Sequence, residues 1–417
     1  TAKMYKLSIV FISLSLCFLS VYAKNEELEG EIAERLVLDV WRYAVPGREG
    51  IVLVPRDQQI AFQRELYDAG ISYTVGVQNV KESVDLEDTI LTAAASKRSN
   101  RSHPGLPFDR IHRYDTVDQY LVELANLYPN LVSVASGGIS PEGRDIKYVK
   151  ISSTNFEDTR KPVIMVMSLL HAREWVTLPP TLYAIEKLVI DVTDQDLVND
   201  VDWIILPIAN PDGYEFSHTG NRFWRKNRSV IPGSNCLGVD LNRNFAFNWG
   251  LTSSSNPCSE VFHGEGPFSE IETYLISNIL KEHRGRVEMF IDLHSFGSMI
   301  LFGFGHGQLP PNALTLNLVG VNMAQSIDAV KWSWKRNYTV GNVVAILYYA
   351  SGISSDYAQS QDVPLSYTYE LPAYMDNTNN ILGFLVDPDF IEQAAFETWE
   401  GIKTGARWVV QNTRSKN

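Results

Sequence analysis

A nearly continuous apolar run at residues 163–170 constrains the fold of this chain more than any other feature. Such a run is typical of a strand that is buried on both faces of a parallel sheet. Residues 181–189 follow with helical spacing, and two prolines stand near the start of that segment. His171 and Glu174 are therefore predicted to lie on a turn between a strand and a helix, at the edge where open α/β sheets build their sites.

His171 and Glu174 can both reach one cation from such a turn. The pair alone is weak evidence, because many side chains at this spacing are solvated or hydrogen-bonded in a core. A second apolar run, residues 289–293, also ends in a histidine, His294. Two histidines and one carboxylate, with a fourth position left for water, are the ligand set of a catalytic zinc site. A structural zinc normally has four protein ligands, often thiolates, and this chain has only three cysteines.

The composition is that of an ordinary globular protein, with 417 residues, 45% hydrophobic and 20% charged. This length is sufficient for one large domain and a small one. The net charge of −13 argues against a nucleic-acid partner, because phosphate binding needs a basic face. Nothing in the composition indicates a protein of the membrane surface, and we expect a monomer.

Residues 1–23 are interpreted as a secretory signal peptide. Lys3 and Lys6 precede an apolar segment at residues 7–19, and Ala23 supplies a small residue at the expected cut. No later stretch is apolar for 18 residues, so we expect a soluble mature protein.

Residues 24–101 are predicted to form a small α+β unit that ends in a basic, polar linker. An acidic module joined to the main domain by such a linker suggests an activation segment, with the cut after Arg98 or Arg101. A small accessory domain with an ordinary linker is the alternative. In residues 102–417 apolar strands alternate with helical stretches, which predicts an α/β domain with a mixed central sheet and helices on both faces.

Cysteines and sequons fit an extracellular protein. Cys236 and Cys258 are the pair that remains after the signal peptide is removed, and we predict that they form a disulfide. Asn100, Asn227 and Asn337 stand in glycosylation sequons, each of which can be unused.

Four further stretches each allow two interpretations. The basic run at 221–228 is a solvated loop or supplies a guanidinium that binds an anion. Residues 238–245 place an amide beside a guanidinium, which suits a free carboxylate, although the same residues favour turns. Residues 346–357 are the mobile wall of a pocket or core aromatics followed by a loop. Residues 365–372 predict a strand that ends near Glu370, a general base beside a metal-bound water or a solvated side chain.

These stretches occur in the order and approximate spacing of the zinc metallocarboxypeptidases. The chain resembles the pancreatic-type A/B subfamily in its secreted proenzyme form, over essentially its whole length. The resemblance implies the metallocarboxypeptidase fold, one zinc ion per chain, and peptide or protein substrates with a free C-terminus. It also implies an activating trypsin-like protease, proteinaceous carboxypeptidase inhibitors as further partners, and secretion into a digestive lumen.

The resemblance also implies a role for each residue of the centre. His171, Glu174 and His294 bind zinc, and Asp240 orients His171. Asp292, two residues before His294, either faces away or serves as another such partner.

Further roles follow for the reaction itself. Arg225 polarises the scissile carbonyl and holds the developing oxyanion, and Glu370 deprotonates the water and passes the proton to the leaving amine.

The remaining roles concern the substrate. Asn242 and Arg243 bind the terminal carboxylate, Tyr348 closes over the substrate, and Arg173 contacts the chain further from the cut. An internal segment has no terminal carboxylate, so its binding would leave the buried polar groups of Asn242 and Arg243 without a partner. This cost disfavours internal segments and makes the site specific for chain ends.

The specificity pocket is implied to be largely apolar. Ser355 stands where basic-specific members carry Asp and A-type members an apolar residue, so we expect A-type release of aliphatic or aromatic residues, with B-type release as the alternative. Two departures from the family are Phe296, where Tyr is frequent, and a longer stretch at 372–380. The pocket lining implied by the resemblance is Leu301, Gly305, Val343, Leu347, Ala350, Ser355 and Thr368.

Two other functions are less consistent with these residues. A zinc deacylase on the same fold is disfavoured by the set of Arg225, Asn242, Arg243 and Tyr348. A secreted peptide-binding protein without turnover is disfavoured because Glu370 and all three ligands are present.

Overall fold

The structure is a computed structural model of the full chain. It describes residues 7–10, 17–22, 32, 34–44, 49–97, 105–107, 109–373 and 382–414. The expected cut sites at Arg98 and Arg101, the sequon at Asn100 and most of the 372–380 stretch lie outside these residues. The strands are β1 (Leu7–Val10), β2 (Cys17–Tyr22), β3 (Asp39–Arg42), β4 (Ile51–Val54), β5 (Ser72–Val77), β6 (Val132–Ile139), β7 (Asp145–Ile151), β8 (Val163–Ser168), β9 (Asp202–Leu206), β10 (Val287–Ser295), β11 (Met299–Phe302), β12 (Thr339–Asn342) and β13 (Leu365–Leu371). The α-helices are α1 (Gln59–Asp68), α2 (Val80–Lys97), α3 (Tyr114–Leu127), α4 (Leu178–Val189), α5 (Gln195–Asp200), α6 (Pro211–Thr219), α7 (Ile271–Glu282), α8 (Ala313–Asp328), α9 (Val343–Ile346), α10 (Ser354–Ser360) and α11 (Phe390–Arg414).

The N-terminal unit is built on a five-stranded sheet with the order β1-β5-β2-β4-β3, together with helices α1 and α2. It has the small α+β character expected for the activation segment. Strands β1 and β2 fall within residues 1–23, so in the uncut chain the stretch interpreted as a signal peptide pairs with this sheet. The signal peptide stays a prediction.

The large domain contains an eight-stranded mixed sheet with the order β12-β11-β13-β10-β8-β9-β7-β6. Strands β13, β10, β8 and β9 are parallel neighbours, whereas β11 joins β13, and β7 joins β9, in antiparallel fashion. The predicted fold class, a mixed sheet with helices on both faces, is confirmed.

Strand β8 shows why the apolar run constrains the fold. Ile164 and Val166 pack into one core with helices α4 and α11, whereas Met165 and Met167 pack into another with α7 and α10. Alternate side chains of a strand point to opposite faces, so only a strand covered on both faces can be apolar throughout. Each buried side chain of this kind stabilises the fold by about 1.5–3 kcal/mol.

The register of the parallel strands brings distant residues to one edge. Ser168 at the end of β8 pairs with Leu293 of β10, and His294 pairs with Glu370 of β13. The carboxyl ends of these three strands therefore meet, and His171 follows three residues after Ser168.

Cys236 and Cys258 form a disulfide, as predicted, with their Cα atoms 5.1 Å apart. The bond closes a loop with a sequence separation of 22 residues, which stabilises the fold by roughly 3 kcal/mol in the loop-closure account.

Two of the glycosylation sequons differ in the solvent exposure of their asparagines. Asn227 is fully buried, and its side-chain amide donates to Glu270 at 2.7 Å and to Ser229 at 3.0 Å. A glycan cannot be attached to this nitrogen in the folded protein, whereas Asn337 is exposed. Among the described residues, we find no helix that combines the length and the apolar character needed to cross a membrane.

Candidate metal centre and active site

A sharp turn after β8 presents His171 and Glu174 to the same point. Leu169 has φ 54°, a left-handed conformation that a leucine rarely adopts. The N–H of Glu174 then donates to the His171 carbonyl at 3.3 Å, and Glu174 caps a 3₁₀ turn, Trp175–Thr177, that leads into α4. The predicted strand–turn–helix context of these two residues is confirmed.

The two histidines and Glu174 converge in a buried cluster. His171 Nδ1 lies 2.8 Å from Glu174 Oε1, and His294 Nδ1 lies 2.9 Å from Glu174 Oε2. The two Nδ1 atoms are 3.0 Å apart. The possible ligand atoms of all three side chains lie within 4.8 Å of one another, so they can share one ion.

The opposite nitrogens of both imidazoles meet carboxylates. His171 Nε2 lies 3.1 Å from Asp240 Oδ1, and His294 Nε2 lies 2.7 Å from Asp292 Oδ2. A carboxylate at Nε2 holds the proton there and leaves the lone pair on Nδ1. Two such lone pairs beside the Glu174 carboxylate repel one another unless a cation lies between them. The residues present therefore fit a zinc ion.

The charges of the cluster also favour a cation. Burial alone would raise the pKa of Glu174, but His171 and His294 outweigh it and hold that pKa well below its usual range. Burial alone would lower the pKa of His294, but Asp292 and Glu174 raise it well above its usual value. Several buried carboxylates thus act on one small volume, and positive charge is stabilised there.

Asp292 completes this centre, a role that remained open on the sequence alone. It is fully buried, and it lies on the same face of β10 as His294 because the two residues are two positions apart in a strand. This spacing was the signal from which its position beside His294 could have been predicted.

Asp240 connects the metal centre to Arg225. Its Oδ2 accepts hydrogen bonds from Arg225 Nε at 3.0 Å and Nη2 at 2.9 Å, while its Oδ1 meets His171. Burial opposes the charge of Arg225, but Asp240 outweighs it and raises the pKa of the guanidinium. Asp240 thus lies beside His171, and its role in orienting that imidazole stays a prediction.

Asn242 and Arg243 lie on a 3₁₀ turn, Leu241–Arg243, that Asp240 caps by accepting the Asn242 N–H at 3.0 Å. Arg243 donates from Nη1 to the Asn242 carbonyl at 2.7 Å. Its Nε is buried, and among the described residues it has no hydrogen-bond partner. An unpaired, buried guanidinium N–H is suited to an incoming anion.

Glu370 lies at the end of β13 and lines the same cleft as the metal centre. Burial raises the pKa of Glu370 to about 8, and His294 opposes the shift while Glu174 supports it. A bound cation would act in the same direction as His294 and favour the carboxylate form.

The cleft has a volume of about 1030 Å³ and contains most of the predicted site residues. Ser355 is not part of its lining: it is buried, and its hydroxyl oxygen accepts the Thr368 hydroxyl at 3.0 Å. Gly305 is also absent from the lining of the cleft in the uncut chain. The expectation that these two residues line the specificity pocket stays a prediction. The neighbouring residue Ala350 crowds Gly305, whose position leaves no room for a Cβ. The predicted residues that do line the cleft are His171, Arg173, Glu174, Arg225, Asn242, Arg243, His294, Leu301, Val343, Leu347, Tyr348, Ala350, Thr368 and Glu370.

Part of the N-terminal unit occupies this cleft, which the sequence did not reveal. Arg173 donates to Asp39 of β3 at 2.5 Å and to the Phe223 carbonyl at 3.2 Å. The ring of Tyr43 lies 5.1 Å from that of Tyr348. Arg173 is thus bound to the chain's own segment in the uncut protein.

A second contact holds the N-terminal unit in place. Arg222 donates to Glu87 of α2 from Nε at 2.6 Å and from Nη2 at 3.1 Å, and both side chains are buried. Trp41 packs between Phe223 and Phe384, with ring centroids 4.8 and 4.7 Å away. The contact therefore combines a buried ion pair with an aromatic cluster.

Comparisons with known proteins agree with this geometry. A family model described as zinc carboxypeptidase matches residues 117–401, and one described as carboxypeptidase activation peptide matches residues 26–87. The chain is 42% identical over 419 residues to the carboxypeptidase B of Helicoverpa zea, covering 94% of this chain and 97% of that relative. It is 35% identical over 385 residues to the carboxypeptidase A2 of Rattus norvegicus, covering 90% and 88%. The crystal structure of the carboxypeptidase A from Helicoverpa armigera matches with a TM-score of 0.90 and 55% identity, covering 98% of this chain and 97% of that one.

Proposed function

The chain belongs to the zinc carboxypeptidase family, and we propose that it is secreted and that its mature form releases aliphatic or aromatic residues from the C-termini of peptides and proteins. The family makes it a zinc peptidase, and the match to an activation peptide makes it a proenzyme. The related carboxypeptidases carry the names A and B, so the residue that is released has to be argued from the cleft.

His171, Glu174 and His294 are proposed to hold the zinc ion. When bound, zinc supplies a Lewis acid that lowers the pKa of water and polarises a carbonyl. The proposal is supported by the converging Nδ1 atoms and by the carboxylates of Asp240 and Asp292, which fix the orientation of both imidazoles.

Glu370 is proposed to take a proton from the attacking water and to return it to the leaving amine. Its position in the cleft beside His294 supports this role. Arg225 is proposed to stabilise the negative charge that develops on the scissile carbonyl oxygen. Its two hydrogen bonds to Asp240 fix the guanidinium before the substrate arrives, so little reorganisation is needed.

Arg243 and Asn242 are proposed to bind the terminal carboxylate. The support is the buried Nε of Arg243, which lacks a partner among the described residues. A chain end supplies an anion for this group, whereas an internal peptide segment would bury it unsatisfied. Tyr348 and Arg173 line the same cleft, and we propose that both contact the substrate once the N-terminal unit has left.

The observation that carries the A-type proposal is the apolar wall near Thr368. Among the described residues, the lining contributed by positions 299–301 and 343–368 includes no acid. A guanidinium or ammonium buried there would find no counter-charge, which disfavours a basic residue. Four members of the wall, Met299, Ala345, Ile346 and Ile353, were not in the predicted pocket lining. The lining of this part is Met299, Leu301, Val343, Ala345, Ile346, Leu347, Tyr348, Ala350, Ile353 and Thr368.

One observation favours B-type release as a second candidate. Asp356, next to Ser355, accepts the Gly305 N–H at 2.7 Å through Oδ2. Its Oδ1 is buried without a hydrogen-bond partner among the described residues, and burial raises the pKa of Asp356 to about 7. A basic side chain that displaced the wall could ionise this group.

A specificity profile tests the two candidates. Trypsin-treated protein is given blocked dipeptides that end in Phe, Leu, Lys or Arg, with and without a chelator, and the products are identified. We expect a higher kcat/KM for Phe than for Arg and loss of activity with the chelator. A preference for Arg that disappears in Asp356→Asn would establish B-type release. Release of an acyl group, or binding without any product, would favour the deacylase or the non-catalytic alternative.

The remaining features of the proenzyme are also proposed. Helix α2 ends at Lys97, directly before the basic linker, which supports a trypsin-like cut after Arg98 or Arg101 and a catalytic domain from residue 102. Secretion into a digestive lumen is supported by the N-terminal apolar segment and the disulfide. Because a part of the chain itself fills the cleft, a small inhibitor protein could occupy the same space in the mature monomer.

A further inference from the structure

Glu260 is a half-buried carboxylate in the cleft that the proposed reaction does not use. It lies two residues after Cys258 and lines the cleft together with Arg173 and Arg225. Its Oε2 is buried, and among the described residues it has no hydrogen-bond partner. A buried carboxylate oxygen without a donor is costly, so such a group is suited to an incoming cation.

The cations nearest to Glu260 are each engaged elsewhere. Lys226 donates to the Pro257 carbonyl at 2.7 Å, and Arg225 is held by Asp240. Arg173 is held by Asp39 and by the Phe223 carbonyl, and its guanidinium lies 4.4 Å from the centre of the Phe384 ring. They act on Glu260 only through their charge, and none supplies a hydrogen bond to it.

The N-terminal unit places further acids at this position in the proenzyme. Asp39 lies close enough that, after burial itself, its charge is the main cause that raises the pKa of Glu260 to about 7. Glu34 accepts the Ser254 hydroxyl at 3.0 Å on the same side of the cleft. These acids leave with the activation segment, and Glu260 then faces an open cleft as a carboxylate.

We propose that Glu260 is a specificity-determining residue that binds a lysine or arginine side chain one or two positions before the scissile bond. The inference rests on the proposed carboxypeptidase activity. The substrate position assigned to Glu260 follows from the order of the proposed contacts along the cleft. Arg225 acts at the scissile bond, and Arg173 contacts the substrate chain further from it. The Phe223 carbonyl and the Phe384 ring keep Arg173 directed away after Asp39 has left, so Glu260 stays available for the substrate.

The test uses the activated, zinc-loaded enzyme and matched blocked peptides that share one C-terminal residue. The residue one or two positions before the scissile bond is lysine, methionine or glutamate. We expect about a tenfold higher kcat/KM for lysine than for methionine, since a partly desolvated ion pair contributes about 1.4 kcal/mol. In Glu260→Gln this ratio should fall to near one, while the methionine peptide is cleaved at an unchanged rate.

Two further variants make the result specific to this residue. Glu265→Gln removes the same charge from an exposed position nearby that does not line the cleft, and it should keep the lysine preference. Glu260→Lys should reverse the preference towards glutamate. An equal lysine-to-methionine ratio in the wild type and in Glu260→Gln would overturn the inference. If the wild type failed to cleave even the methionine peptide, the proposed carboxypeptidase activity itself would be wrong.

Discussion

The metal centre and the contact with the activation segment use the same chemistry but differ in where their partners come from. At the metal centre, the carboxylates that hold His171, His294 and Arg225 belong to the catalytic domain itself. At the segment contact, Arg173 and Arg222 meet acids that lie 134 and 135 positions earlier in the chain.

Neighbouring residues of two short stretches serve these two regions. His171 and Glu174 point into the buried cluster proposed to hold the ion, while Arg173 between them faces the segment. In the second stretch, Arg222 faces the segment and Arg225 faces Asp240. We call the contact with the activation segment the releasable region and the metal centre the permanent region. One cut in the linker can remove every acid of the releasable region, whereas the permanent region keeps all of its acids.

The largest expected effect concerns the permanent region. Glu370→Gln should lower kcat by about a thousandfold, because general-base catalysis typically contributes that much. Zinc content, measured by metal analysis of the purified variant, should stay at one ion per chain, since Glu370 is not among the proposed ligands. A near-normal kcat in this variant would contradict the role of Glu370 as the general base.

The releasable region is tested by Glu87→Gln. Arg222 would remain buried without its counter-charge, which weakens the contact by about 3 kcal/mol. We expect about a hundredfold more of the uncut chain to have an open cleft, measured as peptide hydrolysis before activation. After activation the variant and the wild type should be equal.

A matched control for that variant is Glu65→Gln, in the same N-terminal unit. Glu65 pairs with Arg35 at an exposed position, and exposed pairs contribute little. Hydrolysis by the uncut chain should not change in this control. If Glu87→Gln also left it unchanged, the buried pair would not hold the segment closed.

A smaller effect separates the two regions by metal affinity. Asp240→Asn removes the carboxylate that orients His171, and such partners typically change metal affinity by about 10–100-fold. Competition with a chromophoric chelator measures this change. Asp39→Asn, which acts on the releasable side, should leave the zinc affinity of the activated enzyme as it is. Equal affinities in both variants would contradict the division.

The smallest effect comes from a buried acid that belongs to neither region. Glu397 in α11 is fully buried, and burial raises its pKa to about 7. Between its ordinary value of 4.5 and this value, the folded chain keeps a proton that the unfolded chain has released. The free energy of unfolding therefore falls as the pH rises, by about 2 kcal/mol between pH 5 and pH 7.

Glu397→Gln should remove this fall, and denaturant titrations of the activated enzyme at both pH values measure it. An unchanged pH dependence in the variant would show that Glu397 is not the cause. The ion pairs of Arg173 and Arg222 provide the contrast, because their acids have a counter-charge within hydrogen-bond distance. Among the described residues, Glu397 has only Gln393 as a hydrogen-bond partner, at 2.9 Å.

The metal centre could be predicted because it obeys local rules. The sequence alone predicts an apolar strand and the histidine at its carboxyl end. Because the carboxyl ends of parallel strands meet at one edge of a sheet, it also predicts that two such histidines lie close together. The disulfide followed from the count of cysteines.

The segment contact could not be predicted in this way. Asp39 is one acid in a short strand, and nothing near it in the sequence identifies Arg173 as its partner. The environment of Ser355 could not be predicted for a related reason. Its position in the family pattern is known from the sequence, but the hydrogen bond between its hydroxyl and that of Thr368 depends on packing that only the fold determines. Glu260 lies in an irregular loop, where no periodicity indicates which way a side chain points.

The disulfide has one more consequence, for durability. The turn that carries Asn242 and Arg243 lies inside the covalent ring closed by Cys236 and Cys258. An endopeptidase that nicks the backbone once within this ring produces two fragments that remain tethered, so a single nick does not detach the turn.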